Sequence, residues 1–281
     1  MKRKSKPIIR VLQYVILVIA TLYALYPVWF AILASGRLGD RLYTLDLGGM
    51  FFPTEWTFEN YRVMLFEKPF LTWLTNSLKV ASITTVASLI VCTSAAFALS
   101  RFKFRGREFF LVFLLAISTF PGLLSLVAIA QLLTALGLYG KHAGLILAYT
   151  AGTIVFCTWN LKGYFDTIPI ELEESAMLDG CSPVSAFFLI ALPLAKPALA
   201  VTAILGFMSG WGDFVFASVL VPAPDSVKLA VPALYSLANS MSVPWGYFAS
   251  GAVIVIIPTI IVYLAMNRYF EGGLTLGGVK G

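Results

Sequence analysis

The feature that most constrains this chain is a series of uncharged apolar runs about as long as a lipid bilayer is thick. A helix needs about 20 apolar residues to cross roughly 30 Å of hydrocarbon. Six segments meet or approach that length, at about residues 11–34, 77–99, 109–130, 143–159, 197–221 and 247–266. In hydrocarbon every backbone donor and acceptor must find a partner within the protein, so such runs have to be helical unless they alternate like barrel strands. They do not alternate. The expectation is an all-α integral membrane protein with six transmembrane helices in a single domain over 1–281. Composition agrees, since 59% hydrophobic and 12% charged residues with a mean hydropathy of +0.87 exclude an ordinary soluble protein.

Charge orients the spans. With six crossings both termini lie on one side. That side then holds Lys2, Arg3, Lys4, Lys6, Arg10, Arg101, Lys103, Arg105, Arg107, Lys162, Lys196, Arg268 and Lys280, which makes it cytoplasmic. The net charge of +6 is explained by these flanks, and no separate basic domain suggests nucleic acid. The first run outlasts the apolar core of a signal peptide and reads as a retained anchor. The outer loop at about 35–76 is long enough for interfacial helices or for contact with an outside partner. Cys92, Cys157 and Cys181 lie far apart without ligand spacing and read as small packing residues, so neither disulfides nor a metal site is expected.

Polar residues inside the second run are small, Ser82, Thr84, Thr85, Ser88, Thr93 and Ser94, which predicts closely packed helices. Pro121 with Gly122, and Pro258, predict kinks, serving either gating or plain accommodation in the bundle.

The inner loop at about 162–196 breaks the charge pattern, with Asp166, Glu171, Glu173, Glu174 and Asp179 against Lys162 and Lys196. Its local signals are those of a helical hairpin. Pro169 and the clustered acids suit an opening turn, and Gly180 suits a left-handed end. Ser182-Pro183 reads as cap and first residue of a second helix, which Pro193 is expected to end. Phe187, Ile190 and Ala191 fall on one face of that second helix.

The run Glu174-Ser175-Ala176-Met177-Leu178-Asp179-Gly180-Cys181, followed by Phe187 and by Leu192-Pro193, resembles the EAA loop of permease subunits of binding-protein-dependent ABC importers. Ser175 and Cys181 depart from the family pattern, each replacing an alanine with another small residue. Trp211-Gly212-Asp213-Phe214 resembles the Trp-Asn-Glu-Phe element of sugar permeases, and residues 272–281 resemble the glycine-rich tail of the maltose-type G subunit (MalG). The resemblance implies that the hairpin, with Glu171, Glu174, Ser175, Ala176, Asp179, Gly180, Cys181, Phe187, Leu192 and Pro193, docks on an ATP-hydrolysing subunit. It further implies that Thr275, Gly277, Gly278 and Lys280 in the tail reach toward that subunit. A glycine-rich tail is not expected to hold a helix alone. A second related permease, two ATPase subunits carrying ATP and Mg, and an extracytoplasmic sugar-binding protein are the implied partners. The outer loop at 222–245 is implied to meet the loaded binding protein, although Trp245 and Tyr247 read equally as interfacial anchors.

What the chain lacks narrows its chemistry. Gly140-Lys141-His142 fails as a phosphate loop, because Ala135 stands where the first glycine belongs and His142 where a hydroxyl belongs. No catalytic triad, metal cluster or converging acid pair is expected, so catalysis belongs to another chain. Asp213, about 24 Å along the fifth span, either lines a sugar route with Trp211 and Phe214 or bonds a neighbouring helix. His142 reads as a solvated boundary residue rather than a ligand. An ion-coupled secondary transporter and a membrane scaffold that moves nothing are the rival readings. Maltose or maltodextrin is the first expectation for the sugar, with trehalose or another oligosaccharide as the alternative.

Overall fold

The computed structural model describes residues 7–38, 51–52, 55–222, 224–238 and 244–276, with backbone alone at 7 and 270–276. Among these residues the chain is helical, without strands. In chain order the helices are α1 (Pro7–Ser35), α2 (Glu59–Arg62, continued by a π turn Val63–Glu67), α3 (Phe70–Arg101), α4 (Arg107–Ser118), α5 (Gly122–Ala135) and α6 (His142–Phe165). Then follow α7 (Glu171–Leu178), α8 (Pro183–Leu194), α9 (Lys196–Trp211), α10 (Val215–Leu220), α11 (Ala230–Ala238) and α12 (Trp245–Leu276).

Four of these, α1, α3, α6 and α12, are long and apolar enough to cross a membrane, and two bent pairs raise the candidates to six if each pair is one span. The expected third span is one of those pairs. Instead of a kinked helix over 109–130, α4 and α5 meet at 101°. Pro121 has no amide hydrogen and sits extended at φ −63°, ψ 118°, so the ladder of α4 cannot run through it. The expected fifth span, 197–221, also divides. α9 stops at Trp211, and α10 starts after the break at Gly212–Phe214. By contrast α12 is continuous, with Pro258 inside it, and extends to Leu276. The glycines at 272 and 273 therefore continue a helix where none was expected. Each costs about 1 kcal/mol, but extending a formed helix avoids the cost of nucleating one.

The chain divides into two compact units, residues 1–70 with 234–257 and residues 71–233 with 258–281. In the first, the buried Asn60 amide donates to the carbonyls of Ser35 (2.9 Å) and Arg37 (3.0 Å), which closes the end of α1. Gly246 lies so close that a Cβ there would meet Asn60 Nδ2 at 2.6 Å. The Ser35 and Tyr61 hydroxyls are 2.6 Å apart. On the exposed side Arg62 bridges Glu59 and Glu67, and its hydrogen bonds hold the Glu59 carboxyl below its ordinary pKa.

In the second unit α3, α6 and α9 share a close-packed core. Gly206 and Gly210 are one turn apart on α9, and a Cβ at Gly210 would stand 2.6 Å from the Ala81 Cα of α3. This is the small-residue packing that lets helices approach where lipid removes the hydrophobic incentive to associate. Ser88 of α3 and Thr153 of α6 hydrogen-bond at 2.8 Å within it. Cys92 and Cys157 are buried among Ala96, Leu161 and Phe165, as packing residues.

Candidate functional site

The hairpin α7–α8 is built by local rules. Glu171, Glu173 and Glu174 occupy the first turn of α7, where unsatisfied amides carry partial positive charge. Pro169 precedes the helix, and its carbonyl accepts from Leu172. At the other end Cys181 N–H donates to the Ala176 carbonyl (3.0 Å) and Gly180 N–H to that of Met177 (3.1 Å). These are the paired bonds of a Schellman turn, and Gly180 holds the required left-handed conformation at φ +95°. Ser182 Oγ accepts from Ser185 N–H at 3.1 Å, capping α8 with Pro183 at its start.

Within α8 a π turn spans Phe187–Ala191. Pro193 cannot donate to the preceding turn, and a π turn is one way a helix absorbs that missing bond. Pro193 therefore does not end the helix, as expected from sequence, but sits inside it. The helix stops at Leu194 and turns by 80° into α9. Ala191 and Ala195 are fully buried, Ile190 is half-buried beside them, and the Phe187 ring lies 4.6 Å from Phe97 of α3. Leu192 is half-buried.

The opposite side of the hairpin is bare. Glu171, Glu174, Ser175, Asp179 and Gly180 are exposed, Ala176 and Cys181 are half-buried, and Leu178 at the tip is 90% exposed. Between hairpin and α3 lies a cavity of about 570 Å³ lined by Phe97, Met177, Val184 and Phe188 among others. The arrangement offers exposed acids along α7 and an exposed leucine at the tip, on a support packed into the bundle.

Glu173 is not one of those exposed acids. It is buried and ion-paired with Arg101, the last residue of α3, at 2.8 Å, with side-chain exposures of 7% and 9%. Arg101 Nε also donates to the same carboxylate oxygen at 2.8 Å, Nη1 to the Phe165 carbonyl at 3.0 Å and Nη2 to the Ile168 carbonyl at 3.0 Å. Sequence reasoning counted Glu173 with the other acids and Arg101 with the cytoplasmic charges. The available signal was that Arg101 stands two residues after Leu99, the last apolar residue of the second run, ahead of the other basic residues Lys103, Arg105 and Arg107.

At the other end of the bundle Asp213 bonds neighbouring helices. Its Oδ1 accepts from the Tyr149 hydroxyl of α6 (2.8 Å) and from Ala217 N–H of α10 (3.0 Å). Trp211 is buried and stacks on Phe207 at 5.6 Å, and Phe214 caps α10 half-buried. His142 is half-buried and hydrogen-bonded through Nε2 to the Val227 carbonyl (2.7 Å), so it is a tether rather than a solvated boundary residue. Asn76 Nδ2 donates to the Ser226 and Lys228 carbonyls (2.9 and 3.0 Å), pinning the same loop. In the tail, Thr275 belongs to α12, while Gly277, Gly278 and Lys280 lie outside the described residues. Among the described residues no group of histidine, cysteine and carboxylate side chains could hold a metal.

Known proteins share this plan. The chain is 36% identical to the galactooligosaccharides transport system permease protein GanQ of Bacillus subtilis (strain 168) over 283 residues, covering 99% of this chain and 98% of that one. It is 42% identical over 219 residues to the maltose/maltodextrin transport system permease protein MalG of Vibrio vulnificus (strain YJ016), covering 76% and 73%. A chain from the crystal structure of a bacterial ABC transporter involved in the import of the acidic polysaccharide alginate superposes with a TM-score of 0.77 at 26% identity. That match covers 96% of this chain and 99% of the other. Residues 88–275 match the family described as binding-protein-dependent transport system inner membrane component, a range that takes in the hairpin and the helices packed on it. With four long apolar helices and two bent pairs, the chain is a multi-pass membrane protein and belongs to the binding-protein-dependent transport system inner membrane component family.

Proposed function

We propose that this chain is one permease subunit of an ATP-driven oligosaccharide importer in a bacterial or archaeal cytoplasmic membrane, with both termini cytoplasmic. It works beside a second related permease, above two ATPase subunits that hold ATP and Mg, and below an extracytoplasmic sugar-binding protein. The whole chain forms a single permease domain, with neither catalytic chemistry nor a cofactor of its own. The observation that carries this reading is the exposed face of the hairpin, where Glu171, Glu174 and Asp179 are exposed along α7 and its end and Leu178 is exposed at the tip. Closure of the ATPase pair displaces the hairpin, and the spans shift between inward- and outward-open arrangements. In that scheme Ser175, Ala176 and Cys181 keep the tip slim enough to dock, and Phe187, Leu192 and Pro193 brace it. The end of α12 with Thr275, and the tail residues Gly277, Gly278 and Lys280, contact the ATPase. Trp211, Asp213 and Phe214 border the pathway.

Maltodextrin is the favoured sugar, on the 42% identity to MalG. A galactooligosaccharide is the second reading, on the near full-length match to GanQ. ATP hydrolysis by the reconstituted complex, with binding protein loaded by one or the other, decides between them. Gly180→Val tests the hairpin. A β-branched residue is strained at φ +95°, so sugar uptake is expected to fall at least tenfold while the protein stays in the membrane. Undiminished uptake would remove the hairpin from the mechanism.

A further inference from the structure

A hairpin that moves with a partner does nothing for transport unless something stiff carries the displacement into the spans. Much of what joins α7–α8 to the bundle is apolar contact, as between Phe187 and Phe97, which is non-directional. Arg101 is different in kind. Its guanidinium is a planar fork of donors with fixed directions, and here the fork binds three separate pieces of chain at once. It holds the Glu173 carboxylate of the hairpin at 2.8 Å, the Phe165 carbonyl at the end of α6 at 3.0 Å, and the Ile168 carbonyl in the connecting turn at 3.0 Å. The arginine itself is the last residue of α3.

We infer that Arg101, clamped by Glu173, is the positioning residue that transmits hairpin movement to the second and fourth spans. This rests on the reading of the hairpin as the ATPase-coupling element. The pair is almost wholly buried, so water screens the attraction little. The turn between α6 and α7 is braced from its other side as well. Ser100 Oγ donates to Asp166 Oδ1 at 2.6 Å, and Lys162 Nζ lies 2.5 Å from Asp166 Oδ2. Displacing Glu173 therefore pulls on the end of α3 and the end of α6 together.

Reconstituting the full complex with Arg101→Lys and with Glu173→Gln tests the inference. The binding protein is loaded with maltose or with galactooligosaccharide, whichever stimulates the unmodified complex. The readout is sugar moved per ATP hydrolysed, with thermal stability measured alongside. Lysine keeps the charge but cannot hold the carboxylate and two carbonyls together. Glutamine keeps the shape but removes the ion pair. Expected are basal ATP hydrolysis within twofold of the unmodified complex and a ratio at least tenfold lower. An unchanged ratio in either assembled variant overturns the inference, as does a fall in hydrolysis and uptake in step with lost stability. If Arg101→Lys does not assemble, Glu173→Gln decides, because every bond from Arg101 to a carbonyl survives in it. Gly180→Val runs in parallel. If it uncouples while the two variants do not, the hairpin reading stands and this inference alone falls; if it transports normally, both fall.

Discussion

Asp213 illustrates how one side chain can serve local structure in a setting that also invites a functional reading. Its single oxygen Oδ1 takes a hydroxyl from α6 and an amide from α10, which joins the broken end of α9 to its neighbours. A hydrogen bond to a charged group contributes about 1.5–3 kcal/mol. Tyr149→Phe removes one of the two and is expected to destabilise the protein by about that amount, read as a lower thermal midpoint in detergent. Uptake at low temperature is expected to stay near normal, because the amide bond from Ala217 still orients the carboxylate. Loss of uptake at unchanged stability would instead give the tyrosine a role in the pathway itself. Arg101 and Glu173 form the other residue-scale contact that matters. Removing one member of a buried pair typically costs about 3–5 kcal/mol, so the milder Lys and Gln replacements are the informative ones.

Among the elements, the close pairing of α3 with α9 has the narrowest tolerance. Gly210→Leu would drive a side chain into the Ala81 backbone, where nothing flexible can yield. Overpacking typically costs about 1–3 kcal/mol, and a backbone clash belongs at or above the upper end. The expected result is a sharp drop in the amount of folded protein recovered from membranes. Gly212→Ala, whose nearest contact would be an ordinary 3.5 Å, is expected to be recovered normally. The sequence made the small residues of α3 legible as packing residues, but not their partners on α9. Lone glycines one and five residues before a tryptophan carry no mark of what they face. The hairpin was legible almost residue by residue, because caps and left-handed turns are local. Pro193 was misread because a proline signals a lost hydrogen bond, and only the structure reveals the π turn beside it. The same limit applies to Pro121, where sequence indicated a bend but not its 101° size.

For the whole molecule, orientation is the property that composition predicts and packing does not. Basic residues concentrate at the termini and around 101–107, which predicts a cytoplasmic hairpin and an outer loop at α2. With Cys92, Cys157 and Cys181 replaced by alanine, Leu178→Cys is expected to react with a membrane-impermeant thiol reagent only in opened cells. Phe58→Cys is expected to react in intact cells. Both side chains are well exposed, at 90% and 72%. The reverse pattern would invert the topology and move the hairpin away from any cytoplasmic ATPase. The hairpin also divides the freedom of its own sequence to vary. Its root is tied by Glu173 and by buried Ala191 and Ala195, where change disturbs the spans. Its tip is exposed, and exposed substitutions usually alter stability by less than about 0.5 kcal/mol. On the proposed reading, the tip can drift together with a changing ATPase surface while the bundle stays as it is, so that a permease can acquire a new motor without being rebuilt.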